Sequence, residues 1–310
     1  MTDTKPDRLM LLDTASMYFR AFYGVPEIAG PDGTPVNAVR GLLDFISRLV
    51  ADYRPTDLVC CWDNDWRPQW RVDLIPSYKA HRVVEEVAGS DPDVEEVPDP
   101  LEVQIPIILD VLQAFGISVV GADGYEADDV IGTLATDAGR PVDIVTGDRD
   151  LFQLVDDEAE VRVLYIARGV GNHERVTNDW VRNKYDVDAH QYADFATMRG
   201  DTSDGLPGVP GVGEKTAATL LKRFGDIPGI LAAAHDPGSD LANGPRNKIK
   251  SAADYLAVAP QVTAVARTLD LGSPSTALPR SARNEDELAR LAEQWGLESP
   301  VQRLRAVLHG

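Results

Sequence analysis

The chain has 310 residues, 44% of them hydrophobic and 26% charged, enough to bury one large core or two smaller ones. Its formal net charge of −20 argues at first sight against a phosphate-rich partner. The apolar run Leu9 to Leu12 is far too short for a signal peptide or a membrane span, so a cytoplasmic protein with no membrane partner is expected.

Arg8 to Asp13 is a short apolar run ending in an acid, and Arg20 follows Asp13 by one to two helical turns, placed to contact a phosphate. Val36 to Tyr53 has helical periodicity. Thr56 to Asp63 repeats the pattern of an apolar run closed by an acid. It contains the adjacent Cys60 and Cys61, read as buried strand residues because neighbours in one strand cannot form a disulfide framework. Tyr78 to Arg82 places Lys79 and Arg82 three residues apart on one helical face, suited to a phosphate, with Tyr78 available to stack on a base. Taken alone, this segment reads more readily as an exposed basic turn.

Residues 83 to 139 hold 14 acids and no Lys or Arg, which leaves only −6 for the other 253 residues. Net charge is therefore a weak guide. The run from Glu85 to Glu102, interleaved with Pro92, Pro98 and Pro100, is expected to be a solvated loop. Leu101 to Phe115 and Ala127 to Ala138 read as helices, and Ile117 to Val120 and Val142 to Thr146 as strands, the second ending just before Asp148. Near-continuous apolar runs alternating with helices predict an α/β fold around a parallel sheet buried on both faces.

Asp179 to Met198 is helical in pattern, and composition then shifts. Gly200 to Gly213 packs its glycines and prolines ahead of a helix from Glu214 to Arg223, a combination that offers unpaired N–H groups to a phosphate. A Walker A loop is the rival reading, but Glu214 separates Gly213 from Lys215 and would repel nucleotide phosphates. Asn243 to Leu269 reads as one or two helices, Gly272 to Arg283 as irregular, and Glu285 to Leu308 as helical.

Ligands of open parallel sheets lie at the carboxyl ends of the strands. Asp13, Asp63 and Asp148 fall at such ends, with Glu126, Asp128 and Asp129 opening a helix and Asp150, Asp201 and Asp204 close by in sequence motifs. Any one of them could merely cap a helix. Nine gathered carboxylates would repel one another unless a counter-charge sits among them, and an oxygen-only donor set suits Mg²⁺ or Mn²⁺. Two such ions clamp the attacking and leaving oxygens of a phosphodiester. The five histidines follow no metal-ligand spacing, and no Ser-His-Asp or Cys-His arrangement is visible.

Leu12 and Asp13, Tyr18 to Phe22, Trp62 and Asp63, Tyr78 to Arg82, Glu126 to Ala135, Thr146 to Asp150 and Gly200 to Ala217 together strongly resemble the 5′-nuclease domain of bacterial DNA polymerase I, within the wider family of flap endonucleases and 5′→3′ exonucleases. The likeness runs in order from about residue 8 to residue 225, and with no polymerase module after Gly310 the chain resembles a stand-alone member. It implies a PIN-like catalytic core over 1–199, with a helical arch over about 64–100. A helical DNA-binding region over 200–310 would carry a helix-two-turn-helix motif at about 201–225. It also implies Mg²⁺ or Mn²⁺ held by Asp13, Asp63, Glu126, Asp128, Asp148 and Asp150 at one position and, toward a second, by Asp129, Asp201 and Asp204. Lys79 and Arg82 would contact the scissile phosphate. Gly208, Gly211, Gly213, Lys215 and Thr216 would grip duplex phosphates, with K⁺ on nearby backbone carbonyls. The implied partner is DNA with a 5′ flap, nick, gap or 5′ tail, RNA primer ends being a further candidate. A monomer working at the nucleoid is expected.

The chain departs from that pattern at Thr14, in the bulky acidic turn Trp62 to Trp66, and in the acidic stretch Val83 to Pro100, which would repel a threaded single strand. Two other readings are open: a catalytically silent DNA-binding protein of the same fold, which should have lost acids, and a metal-dependent phosphatase, which leaves the glycine-rich loop unexplained.

Overall fold

The apolar runs become strands: Leu9–Asp13 (β1), Asp57–Trp62 (β2), Ser118–Gly121 (β3) and Val142–Thr146 (β4). The structure is a computed structural model and describes residues 7–83 and 98–309, so the acidic stretch expected to form a solvated loop or arch lies largely outside the described residues. Two further strands, Val161–Tyr165 (β5) and Glu174–Val176 (β6), were not anticipated. The six strands form one sheet in the order β3-β2-β1-β4-β5-β6, parallel except for β6. In the centre, Leu12 of β1 lies opposite Cys60 of β2 and Val145 of β4.

Alternation along each strand sends neighbouring side chains to opposite faces. Met10, Leu12, Leu58, Cys60, Val145 and Leu164 face one layer, built from helices Thr14–Gly24, Asn37–Tyr53 and Gln104–Phe115. Leu9, Leu11, Val59, Cys61, Ile144 and Val163 face the other, with helices Ala127–Ala135, Tyr192–Arg199 and Glu214–Phe224. Cys60 and Cys61 are thus buried, free and on opposite sides of the sheet.

Several expected helices are shorter or divided, three of them beside a residue with left-handed backbone. The helix expected to reach Ala138 ends at Ala135, and Asp137 has φ 51°. The Asp179 to Met198 pattern splits into Asn178–Tyr185 and Tyr192–Arg199 after Asp186 at φ 63°. Glu285 to Leu308 splits at Gly296, φ 67°, into Glu285–Trp295 and Glu298–Leu308. Asn243 to Leu269 becomes Asn243–Ser251 and Ala253–Thr263.

The helical region expected over 200–310 also divides in space. Leu288, Leu291, Val301, Leu304 and Leu308 of its last two helices bury against the sheet layer that holds Leu42, Ile46 and Leu112. Only the helices nearer the Gly200–Gly213 loop pack on the other face. Among the described residues no helix is long and apolar enough to cross a membrane.

Candidate metal centre

The carboxyl ends of β1, β2 and β4 open on a cavity of ≈ 230 Å³ lined by Asp13, Asp63, Glu126, Asp128 and Asp148, together with Lys79, Arg82, Phe19 and Trp66. A larger hollow of ≈ 640 Å³ at the opposite end of the strands is lined by Asp137, Asp156, Glu158 and Glu160 with Arg140 and Arg267, but by none of the acids at the carboxyl ends of the strands.

Each strand-end acid is aimed by a backbone donor. Asp13 caps helix Thr14–Gly24, accepting from Ser16 N at 3.1 Å, and accepts from Thr146 Oγ1 at 2.7 Å. Asp63 accepts from Ala127 N at 2.8 Å, so β2 caps the helix that carries Glu126 and Asp128. Asp148 accepts from Asp150 N at 2.9 Å. Capping, the bland reading, is therefore real for Asp13. Together with the backbone donors on Asp63 and Asp148 it fixes the three carboxylates around one cavity.

Burial, reinforced by mutual repulsion, makes Asp13, Asp63, Asp128, Asp150 and Asp204 resist ionisation. Asp13 is pushed up to about 7 by burial, then by Asp63 and Asp148, against the pull of the Thr146 hydrogen bond. Asp128 is raised well above the usual carboxylate range by burial, then by Asp13 and Asp148. Asp150 is raised in the same way by burial, Asp148, Asp204 and Asp201. Asp63 and Asp204 are raised too, burial leading in both. Asp150 and Asp204 thus sit near Asp148, and Asp201 near Asp150, outside the cavity lining.

Lys79 Nζ lies 2.8 Å from Glu126, and Arg82 lies 3.0 Å from Asp204. Burial is the strongest influence and works to lower the Lys79 ammonium, but Glu126, Tyr78 and Asp204 together outweigh it and hold it well above its usual range. The two cations do not share a helical face as expected. Lys79 has φ 48° and precedes a single 3₁₀ turn, Ala80–Arg82, which turns both side chains into the cavity. This turn is tied to the glycine-rich loop, since Lys79 N donates to the Asp204 carbonyl at 3.0 Å and Ser77 Oγ to that of Gly205 at 2.7 Å.

Three expected roles need correction. Tyr78 is 3% exposed and its hydroxyl donates to Glu126 at 2.9 Å, so its ring offers no base a stacking surface. Asp129 faces away from the cavity: its carboxylate takes a forked pair of hydrogen bonds from Arg71 and accepts from Ala266 N and Glu126 N. Gly208 is buried at φ 69° against the backbone of Arg199 and Gly200, which makes it a packing residue rather than a phosphate donor. Gly211, Gly213 and Lys215 are exposed and Thr216 half-buried at the start of helix Glu214–Phe224, while Arg20 donates to the Ala167 carbonyl at 3.0 Å beside a hollow next to the acids. The residue that sequence patterns did not single out is Arg71. Its partners lie far along the chain, and no local spacing signals it.

All nearby donors are carboxylate oxygens, which fit a hard divalent ion such as Mg²⁺ or Mn²⁺. Among the described residues no three acids converge closely enough to hold one ion in this side-chain arrangement. The chemistry of the donor set fits such an ion.

Comparison with known proteins gives a consistent family. Residues 8–186 match the family model of the 5'-3' exonuclease N-terminal, resolvase-like domain, and residues 187–286 that of the 5'-3' exonuclease C-terminal SAM fold. The chain is 60% identical over 300 residues to a 5'-3' exonuclease of Streptomyces coelicolor, covering 96% of this chain and 99% of that one. It is 42% identical over 234 residues to the DNA polymerase I of Mycobacterium bovis, covering 74% of this chain and 24% of that one. In fold it is similar to the flap endonuclease of bacteriophage T5, solved as a pseudo-enzyme-product complex with DNA and metal ions, at a TM-score of 0.63 and 15% identity over 97% of this chain and 98% of that one.

Proposed function

The chain belongs to the 5'-3' exonuclease family, and from that premise we propose that this nuclease uses two divalent ions to hydrolyse DNA near 5′ ends, flaps, nicks and gaps. The observation that carries the reading is the cavity in which Asp13, Asp63, Glu126, Asp128 and Asp148 face Lys79 and Arg82. Mg²⁺ or Mn²⁺ bound there supplies Lewis acidity toward a phosphodiester. Asp13, Asp63, Glu126, Asp128 and Asp148 are the proposed holders of one ion, and Asp150, Asp201 and Asp204 lie toward the second.

Lys79 and Arg82 bind the scissile phosphate and stabilise the negative charge that builds on it. Asp204 and Glu126 hold these two cations in place between turnovers. Exposed N–H groups at Gly213 and the following helix start grip a duplex phosphate. Because Lys79 and Ser77 are tied to Asp204 and Gly205, the duplex grip and the cleavage cations keep a fixed spacing, and that spacing selects the bond that is cut. K⁺ is proposed to sit on loop carbonyls other than those of Asp204, Gly205 and Gly211, which already accept from Lys79 N, Ser77 Oγ and Lys248 Nζ. The proposed division places the catalytic core over 1–199 and the DNA grip in the helices that follow, with 285–308 returning to the core.

A 5′-labelled series of nicked, gapped and flapped duplexes, each incubated with Mg²⁺ and with Mn²⁺, tests the reading. Cleavage at the junction and release of short 5′ products are expected. Intact substrates under both ions would refute it.

A further inference from the structure

Arg71 is 2% exposed, among the most buried large side chains of the protein. Removing a guanidinium from water costs several kcal/mol, so the fold must compensate it fully. Nη1 and Nη2 fork onto Asp129 at 2.9 and 2.8 Å, and Nη1 also lies 3.0 Å from Glu126. Nε donates to the Val262 carbonyl at 3.1 Å and Nη2 to that of Ala264 at 3.4 Å, while the guanidinium lies 4.5 Å from the centre of the Trp70 ring.

Three distant segments meet here: helix Gln69–Leu74, the first turn of helix Ala127–Ala135, and the last turn of helix Ala253–Thr263 with the chain that follows it. Asp129 closes the knot by accepting from Ala266 N at 2.7 Å. The same chain approaches the helix so closely that a Cβ at Gly132 would stand 2.4 Å from the Ala266 carbonyl. A purely structural arginine would need only Asp129 and the carbonyls. Arg71 reaches past them to Glu126, which lines the cavity beside another of its partners, Lys79.

We propose that Arg71 is a positioning residue that holds Glu126 oriented through a clasp with Asp129, and that the clasp closes only when residues 262–266 are seated. The inference rests on reading the acidic cavity as the cleavage site. Lys79 leaves Glu126 when it engages a phosphate, and Arg71 then remains as a permanent countercharge that cannot be deprotonated. The C-terminal region thereby gates the geometry of an acid it does not itself carry.

Arg71→Lys and Asp129→Asn in the full chain test this. Arg71→Lys keeps one charge but cannot fork onto two carboxylates, and Asp129→Asn keeps the shape but loses the clasp. Three readouts apply: Mn²⁺ affinity of DNA-free protein by calorimetry, kcat and KM on a flapped duplex, and amide hydrogen exchange of residues 262–266 in metal-free protein. Both variants should weaken Mn²⁺ binding and lower kcat by about 10- to 100-fold, the range for groups that orient metal-holding side chains. KM for DNA should hold, and exchange at 262–266 should accelerate. Arg71→Met, at greater risk of not folding, is not needed. Wild-type Mn²⁺ affinity and kcat in both variants would overturn the proposal, as would weakened Mn²⁺ binding with unchanged exchange at 262–266. A wild-type protein that binds no Mn²⁺ and cuts no flap would instead overturn the reading beneath it.

Discussion

Replacing Lys79 with alanine removes an ammonium that is 12% exposed and lies 2.8 Å from Glu126. Two unit charges about 4 Å apart interact by about 4 kcal/mol at an effective dielectric of about 20. Glu126 keeps Arg71 at 3.0 Å and the Tyr78 hydroxyl at 2.9 Å, so the carboxylate is not orphaned. The stability loss should accordingly match one charged hydrogen bond, about 1.5–3 kcal/mol. The phosphate side has no such reserve, because Arg82 is half-exposed and shared with Asp204. Loss of one donor aimed at developing charge lowers kcat by about 10²- to 10³-fold, or about 2.7–4 kcal/mol. Duplex affinity, measured in Ca²⁺ to block turnover, should change little, since the grip lies in the Gly200–Gly213 loop. Backbone conformation supplies a control: Lys79 has φ 48°, which alanine must inherit and glycine relieves by about 1 kcal/mol. Lys79→Ala and Lys79→Gly should therefore share one kcat yet differ in thermal stability. Normal turnover in Lys79→Ala, or equal loss of turnover and duplex binding, would refute the reasoning.

Asp148→Asn should abolish cleavage while stabilising the metal-free protein by about 1 kcal/mol, because Asp148 repels Asp13, Asp128 and Asp150; calorimetry without metal checks the sign, and a lower melting temperature contradicts it. Mn²⁺ at about 100 times its dissociation constant should add about 2.7 kcal/mol to wild-type stability and far less to Asp148→Asn, and an equal gain in both would place the ion elsewhere. Gly208→Ala forces a Cβ to within 2.5 Å of Gly200 N at φ 69° and should lower the melting temperature measurably. Gly213→Ala meets nothing within 4 Å and should leave stability unchanged, which a thermal melt of both variants decides.

Much of the architecture was legible because β1, β2 and β4 are apolar runs closed by acids, and parallel strands buried on both faces leave that mark. Asp13, Asp63 and Asp148 could be placed on the same grounds. Strand β5 was missed because Arg162 interrupts it, and the reason for Arg162 is a tertiary pairing with Asp143, buried inside β4, at 2.6 Å. Tyr78 and Asp129 looked alike in pattern to residues that face the cavity. Their true directions depend on Glu126 and Arg71, and Arg71 in turn on carbonyls 191 and 193 residues away. No periodicity encodes such contacts, since each is a coincidence of three elements rather than a feature of one. The glycines of the 200–213 loop were legible as a group, but Gly208 packs inward while Gly211 and Gly213 face solvent, and only the path of the chain separates them.

Anomalous diffraction from a crystal of this protein soaked in Mn²⁺ tests the account most directly. Two peaks about 4 Å apart are expected, the first among Asp13, Asp63, Glu126, Asp128 and Asp148 and the second toward Asp150, Asp201 and Asp204, with Asp129 still on Arg71. A cavity without anomalous density, or Mn²⁺ bound only away from these carboxylates, would contradict it.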